Sequence, residues 1–507
     1  MFNLTALARP WFASKVRASR AWSSPEGIEK AQKAVLHNLL RRARHTVIGQ
    51  KHGFGAIGSF EEFKAKVPVA EYPDIRHLVE RMVGGERDVL WPGECRRFAQ
   101  SSGTSDGKSK YIPVTDDSLR INHYAGPVYS VSFYLDQVPK SRLFGGKSFI
   151  LGGSFANEVE GLRKGVKVGD LSANLIDNIN PAVNFVRVPS KEIALMADWT
   201  EKLPALVEAS LGQDITNISG VPSWFLTVLK KVIEKAGATT IHDVWPNLEV
   251  FFHGGIAFGP YREQYGLITD PRKMHYLENY NASEGFFAVQ DSFEAKGMRL
   301  LPHIGVFYEF IPLDEAGEPH PTSLAAWEVE PGATYALIIT ACNGLWRYAI
   351  GDTVRIESVE PLRISVAGRT KCFINAFGEE LMVHNADAAL AAACNATGCH
   401  IADYTAGPVY ASEGERGRHR WLIEWDVPPA DVEAFALELD KRLQHENSDY
   451  QAKRSGDIFL APPEVVTVEK GTFERWLAST GKLGGQRKVP RLSNTPELSE
   501  KILSFSK

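Results

Sequence analysis

The chain has 507 residues, 44% hydrophobic and 23% charged, with 57 basic and 61 acidic side chains and a formal net charge of -4. That balance suits a globular protein with room for two to four domains, and the mixing of both signs leaves no general affinity for nucleic acid. Five scattered cysteines exclude a disulfide framework and fit a reducing compartment, and no apolar run reaches the roughly 18 residues that span a bilayer.

The N-terminal stretch "MFNLTALARPWFASKVRASRAW" carries four basic residues and no acid before Glu26. It reads either as a transit peptide or as a short basic helix packed on a domain surface. It lacks the apolar segment and small-residue cleavage site of a secretory signal, so a cytoplasmic protein is expected. Residues 26–45 place Ile28, Ala31, Val35, Leu39 and Leu40 near helical spacing. Residues 142–155 read as a short apolar strand bounded by glycines, and 224–237 as an amphipathic helix with a glycine cap. Residues 247–255 predict a buried strand entering a glycine turn, and 334–356 a strand, a turn and a strand. Alternation of this kind points to α/β layering. After about residue 365 the composition shifts. "RWLIEWDV" (420–427) alternates like a half-exposed strand, and 431–443 puts Val432, Phe435, Ala436, Leu439 and Leu443 on one helical face. Residues 464–476 add a strand and a turn, so a small α+β domain is expected at the C-terminus. Cys394 and Cys399 have no following pair at metal-ligand spacing.

"SSGTSDGKSK" (101–110) concentrates hydroxyls, glycines and lysines. It is not a Walker P-loop: three residues rather than four separate Gly103 from Gly107, and the sequence that follows reads as a strand, not a helix start. The single G-x-G-x-x-G, "GFGAIG" (53–58), follows the helical stretch 26–45 rather than a strand, so it does not make a Rossmann fingerprint. The stretch still suits an anion, because glycines let backbone N–H groups converge while Ser101, Ser102, Thr104 and Ser105 add hydroxyl donors and Lys108 and Lys110 add charge. An ordinary Ser/Gly surface loop is the alternative. "YNASEG" (280–285) groups a ring, a hydroxyl and a carboxylate: Tyr280 could stack on a base and Glu284 could bind Mg²⁺ held by ATP oxygens. "WRYAIGD" (346–352) sets Asp352 after a strand and a glycine, where an acid can take both ribose hydroxyls or simply occupy a turn. "GGQRKVPR" (484–491) offers Lys488 in a glycine-flexible segment.

In this order these residues resemble the adenylate-forming superfamily, and within it the auxin-responsive acyl-acid amido synthetases in the shorter form seen in bacteria. "SSGTSDGKSK" is similar to that family's phosphate loop, "YNASE" to its Tyr-x-x-Ser-Glu motif, and "RYAIGD" to its Tyr-Arg-x-Gly-Asp motif with arginine and tyrosine transposed as Arg347–Tyr348. "GVPSW" (220–224), "ENSDYQAKR" (446–454) and "GQRKVPR" also resemble family segments, and the similarity spans almost the whole chain. The resemblance implies an α/β adenylate-forming fold, with a large N-terminal domain (1–366) of layered sheets and helices and a small mobile α+β domain (367–507). It implies a ligase that forms an acyl-AMP from ATP and a carboxylic acid, with Mg²⁺, and then transfers the acyl group to an amine, typically of an amino acid. No nucleic acid, membrane or obligatory protein partner is implied. Carried over by motif, Ser101, Ser102, Gly103, Thr104 and Ser105 would hold the polyphosphate. Tyr280 and the turn containing Gly255 would frame adenine. Glu284 would bind Mg²⁺ with Ser283 beside the α-phosphate, and Asp352 and Arg369 would take the ribose. Lys371 would occupy the hinge, and Lys488 would reach the α-phosphate during adenylation. Two departures stand out: Cys372 follows Lys371 where the superfamily has an acid, and Arg487 stands where an aromatic is common. No motif marks the acyl pocket; residues 120–135 and 220–225 are the candidates. An acyl-CoA ligase on the same scaffold, or a non-catalytic homologue that binds nucleotide or acyl group, are the alternatives.

Overall fold

A computed structural model describes residues 3–101, 110–155, 162–255, 258–315, 321–369, 373–374, 376, 379, 381–410, 417–447, 450–451, 454, 460–480, 489–493 and 495–506. Among them a twelve-stranded mixed sheet forms the frame. Its spatial order is Leu324–Ala325, Val306–Pro312, Thr334–Ala341, Tyr348–Val359, Leu362–Arg369, Met298–Leu300, Gly285–Val289, His275–Ala282, Val250–Gly254, Ile215–Gly220, Lys147–Ile150 and Arg187–Val188. The half from Arg187–Val188 to His275–Ala282 is parallel, and every pairing beyond it is antiparallel. The change of direction falls on the Tyr280 strand. The C-terminal edge of the parallel strands at such a change of direction is where open α/β sheets bind ligands.

The parallel half is covered by helices whose sequences explain their limits. Helix Pro222–Ala236 starts with proline in its first turn and stops at Gly237, which holds φ 63° as a left-handed cap. Its inward face buries Phe225, Val228, Leu229 and Val232 against Phe251 and Trp245. Each such side chain contributes about 1.5–3 kcal/mol, and Leu229→Ala would cost roughly 2–5 kcal/mol. Helix Pro25–Ala43 covers the antiparallel half. Ser24 accepts from Gly27 N–H at its start, and buried Gln32 donates to Pro302 O at 2.7 Å and Val306 O at 2.9 Å.

The basic N-terminal stretch is a helix, Thr5–Ser19, packed on the surface: Phe12 stacks on Phe144 at 5.4 Å and Arg9 donates to Val138 O at 3.2 Å. No described helix is long and apolar enough to cross a membrane. Residues 120–135 differ from a single helix. A π-turn, Ser118–His123, precedes helix Gly126–Gln137, because Asn122 is turned inward to donate to Phe286 O at 2.9 Å and Ile304 O at 3.0 Å and to accept from Phe286 N–H at 2.7 Å. Gly126 permits the approach: a Cβ there would lie 2.2 Å from the Phe286 ring.

At the C-terminus, strands His400–Val409, Arg418–Val427 and Glu464–Val468 form a second sheet with Arg418–Val427 in the middle. The middle strand is not half-exposed. Helices Val383–Thr397 and Val432–Glu446 cover one face, and Leu422 packs on the other with Val468, Phe473 and Ile502, so residues 421–425 are all buried. The strand after residue 464 leads into a helix, Thr472–Ser479, rather than a turn alone. Strand Leu362–Arg369 runs across position 366 and is the last chain segment of the large sheet.

Candidate active site

A cavity of about 1590 Å³ lies at the C-terminal edge of the parallel strands, between the large sheet and the C-terminal sheet. Its upper wall is the Tyr280 strand and the turn that follows. Ala282 pairs with Gly285, so Ser283 and Glu284 occupy a two-residue hairpin tip that opens into the cavity. The tip is held from behind, where Asn343 Nδ2 donates to Glu284 O at 3.1 Å. Ser283 and Glu284 are both buried. Tyr280 donates its hydroxyl to Asp352 Oδ2 at 2.7 Å and sets its ring 4.9 Å from Phe287. Asp352 is the register partner of Arg369 on the neighbouring strand, and Gly351 before it holds φ 88°. Gly255, at φ 83°, closes the turn beside Tyr280's parallel neighbour.

Tyr280, Ser283, Glu284, Asp352 and Gly255 therefore line one cavity. Ser102, Gly103, Thr104, Ser105, Lys371 and Lys488 lie outside the described residues. Only the backbones of Ser101 and Arg369 are described, each at the end of a strand. The strand that carries Ser101 pairs with Lys110–Pro113, so both ends of the 102–109 stretch meet: Ser101 is opposite Lys110. Lys110 lines the cavity, with Nζ 3.4 Å from Tyr348 Oη and 5.9 Å from the ring centres of Tyr72 and Tyr348.

The Arg347–Tyr348 order has a structural reason. Arg347 turns away from the cavity at φ 44° and pairs with buried Glu309 at 2.8 Å, also donating to Val67 O at 2.8 Å. Tyr348 is left to face Lys110.

The other lobe of the cavity is apolar. Tyr124, Pro127 and Val131 come from the Gly126–Gln137 region, Leu175 and Ile176 from helix Leu171–Asn178, and Trp224 and Phe252 from the parallel half. Both regions expected to hold an acyl pocket thus reach the cavity. The lobe's polar pair is Ser130, which donates to Asn279 Oδ1 at 2.5 Å. His123 nearby is kept neutral, its pKa pushed down to about 4 by burial. His253, stacked on Phe258 at 4.4 Å, is pushed down to about 3, first by burial and then by Arg262.

The C-terminal part closes the cavity with groups that local motifs did not announce. Tyr404 donates to Asp387 Oδ1 at 2.7 Å, and burial raises the Asp387 carboxyl. Arg491 pairs with Asp403, donates to Tyr404 O at 3.0 Å and lies 4.7 Å over the Tyr404 ring. Tyr261 of the large part faces this cluster; burial, with Asp403 and Asp387, pushes its hydroxyl up to about 12 against the opposing pull of Arg491. Asp387, Tyr261 and Asn122 carried no sequence signal, since each faces a partner more than a hundred residues away, and Glu309 carried none because its pairing with Arg347, 38 residues on, is made in full burial. Arg491 ends the segment "GQRKVPR", whose resemblance carries no role for it.

A cavity with a carboxylate-and-hydroxyl end, an apolar end and a lid from a second domain belongs to the adenylate-forming fold. The structure of the GH3.15 acyl acid amido synthetase superposes with a TM-score of 0.78 over 97% of this chain and 95% of its own, at 18% identity. A 2-hydroxyisobutyryl-CoA ligase in its postadenylation state reaches 0.60 over 96% and 94%, at 14% identity. Models of the GH3 family match the chain in three blocks: the N-terminal domain at 24–274, the central domain at 299–369 and the C-terminal domain at 384–497. The chain belongs to the GH3 family. Among curated relatives, "Indole-3-acetic acid-amido synthetase GH3.8" of Oryza sativa subsp. indica is 24% identical, over 93% of this chain and 89% of its own. "Jasmonoyl--L-amino acid synthetase GH3.5" of Oryza sativa subsp. japonica is 24% identical, over 92% of each.

Proposed function

We infer that this protein is an acid–amino-acid ligase that adenylates a carboxylic acid with ATP and then passes the acyl group to an amine, giving an amide and AMP. The observation that carries this reading is that the hairpin tip Ser283–Glu284 and the Tyr280–Asp352 pair share one cavity with an apolar lobe sized for a small acid. The named relatives act as amido synthetases, which supports a C–N product over a thioester.

In this reading Asp352 holds the ribose and is oriented by Tyr280. Gly255 and the Tyr280 ring border the adenine, Ser283 sits at the α-phosphate, and Arg369 adds a ribose contact. Ser101, Ser102, Gly103, Thr104 and Ser105 hold the departing pyrophosphate, with Lys110 at the loop's base. The apolar lobe seats the acid's body. Glu284 fits Mg²⁺: it is a buried carboxylate at the cavity wall, and this cation takes one or two carboxylates plus substrate phosphates. Among the described residues no cluster of three metal-ligating side chains exists, so the phosphates would supply the remaining ligands. When bound, Mg²⁺ screens the phosphate charge that the acid's carboxylate must approach. Lys488 supplies the second screening charge from the small domain, worth roughly 10²–10³ in rate. The division at 366/367, with Lys371 as hinge, lets that domain deliver Lys488 for the first step and withdraw it for the second. A cytoplasmic setting suits Cys95, Cys342, Cys394 and Cys399, which are free thiols.

The direct test is product analysis. The protein is incubated with ATP, Mg²⁺, an acid panel, and either mixed amino acids or coenzyme A. Amide with AMP is expected; a thioester instead would move the protein to the CoA ligases, and ADP would remove it from adenylate chemistry.

A further inference from the structure

Of the cavity's acids that take no part in the two-step reaction, one stands on the strand that carries Tyr280. Glu278 lies two positions before Tyr280 on strand His275–Ala282, so both side chains leave the same face of that strand about 6.6 Å apart. It lines the cavity. Its backbone is fixed on both sides by Gln290, which donates from its N–H to Glu278 O at 2.8 Å and accepts from Glu278 N–H at 3.1 Å. Its carboxylate is different: it makes no hydrogen bond or ion pair with any described residue. His253, its register partner on the parallel neighbour, is neutral. Arg262, from helix Arg262–Ile268, acts on Glu278 from beyond ion-pair distance, and Gln290 opposite it is uncharged. Burial raises the Glu278 carboxyl, with Arg262 partly opposing.

A half-buried carboxylate without a partner is stabilised by a cation that completes it. ATP and the carboxylic acid are anions, and Mg²⁺ travels with the phosphates toward Glu284, six residues further on. The remaining cation of the reaction is the ammonium group of the acceptor. Its attack requires the opposite of what Lys488 provides: a group that accepts a proton near the acyl carbon, on the fixed wall rather than on the moving domain.

We propose that Glu278 receives the ammonium of the acceptor amino acid and takes a proton from it in the amide-forming step. This rests on the two-step reading given above. The carboxylate removes one proton, and the freed nitrogen lone pair forms the C–N bond to the acyl carbon. The C–O bond to the phosphate then breaks, and AMP leaves with that electron pair. The second proton on nitrogen goes to solvent. Acyl-adenylate and ammonium thus give amide, dianionic AMP and two protons, one of them held at Glu278 until the site opens.

The test uses the full chain and separates the half-reactions. In Glu278→Gln, acid-dependent exchange of pyrophosphate into ATP is expected to persist, while amide formation from supplied acyl-AMP and an amino acid falls roughly 10²- to 10⁴-fold. Hydroxylamine, already uncharged at neutral pH, needs no such base, so hydroxamate formation by the variant should match that of the parent protein. Glu278→Asp should recover part of the lost amide rate. Three results would overturn the proposal: an unchanged amide rate, equal losses with amino acid and hydroxylamine, or a parallel loss of exchange with weakened ATP binding, which would place Glu278 on the adenine. If the parent protein itself shows no exchange with any acid, the two-step reading falls and this assignment with it. Intact exchange in the parent protein with an unchanged amide rate in Glu278→Gln overturns the Glu278 assignment alone.

Discussion

The hydroxyl of Tyr280 donates a 2.7 Å hydrogen bond to the carboxylate of Asp352, although three strands of the sheet run between the strands that carry them. Both residues are buried, and both line the cavity. A hydrogen bond to a charged acceptor in such a place is worth about 1.5–3 kcal/mol. Tyr280→Phe keeps the ring against Phe287 and removes only that bond. The expected result is a rise of roughly 10- to 150-fold in the KM for ATP in pyrophosphate exchange, with the fold intact by circular dichroism. An unchanged KM would show that Asp352 needs no such support.

Glu284→Gln keeps the size of the side chain and removes its charge. Loss of a direct carboxylate ligand should raise the Mg²⁺ concentration for half-maximal exchange by about tenfold or more. A titration that superposes on that of the parent protein would take Glu284 out of the metal's shell.

Arg347 and Glu309 form a buried ion pair, 2.8 Å between Nη2 and Oε1, far from solvent. Removing one partner strands the other charge. Arg347→Ala should lower unfolding free energy by about 3–5 kcal/mol, read as a shift in the denaturant midpoint. A loss under about 1 kcal/mol would mean that the neighbouring carbonyls of Lys64 and Val67, not Glu309, set the side chain's value.

Three histidines, His123 and His253 buried and His303 partly so, predict acid sensitivity. Burial pushes the His123 and His303 imidazoles down to about 4 and His253 down to about 3, below the value near 6.5 of the unfolded chain. Between these values the unfolded state binds protons that the folded state does not. Stability is therefore complete above about pH 6.5 and is lost as pH falls toward 4, by at most about 1.4 kcal/mol per pH unit per histidine. His123→Asn should flatten the stability curve between pH 7 and 5 relative to the parent protein. An identical curve would show that His123 is reached by solvent in the folded state.

The chemistry-bearing groups that sequence reading found are those whose setting is local. Ser283 and Glu284 sit on a hairpin tip written into "YNASEG", and Asp352 follows a glycine on a strand, so their spacing survives folding. The helix Pro222–Ala236 was legible for the same reason, since proline, apolar periodicity and Gly237 mark both ends and one face. What spacing could not encode is the partner across the sheet: Tyr280 with Asp352, Asn122 with Phe286, Arg347 with Glu309. The alternation at 420–427 suggests a half-exposed strand because it reports one covered face, and the second cover comes from Thr472–Ser479 and the last helix, Glu497–Leu503. Asp387 and Tyr404 meet Tyr261 only because two domains are brought together, which no local pattern records.

The central claim is that the cavity forms an acyl-adenylate. Pyrophosphate exchange into ATP, run against a panel of carboxylic acids with AMP and ADP resolved, tests it most directly. The account predicts exchange that depends on one class of small apolar acid, with AMP as the nucleotide product. Exchange with no acid while calorimetry still shows ATP binding, or release of ADP, would contradict it.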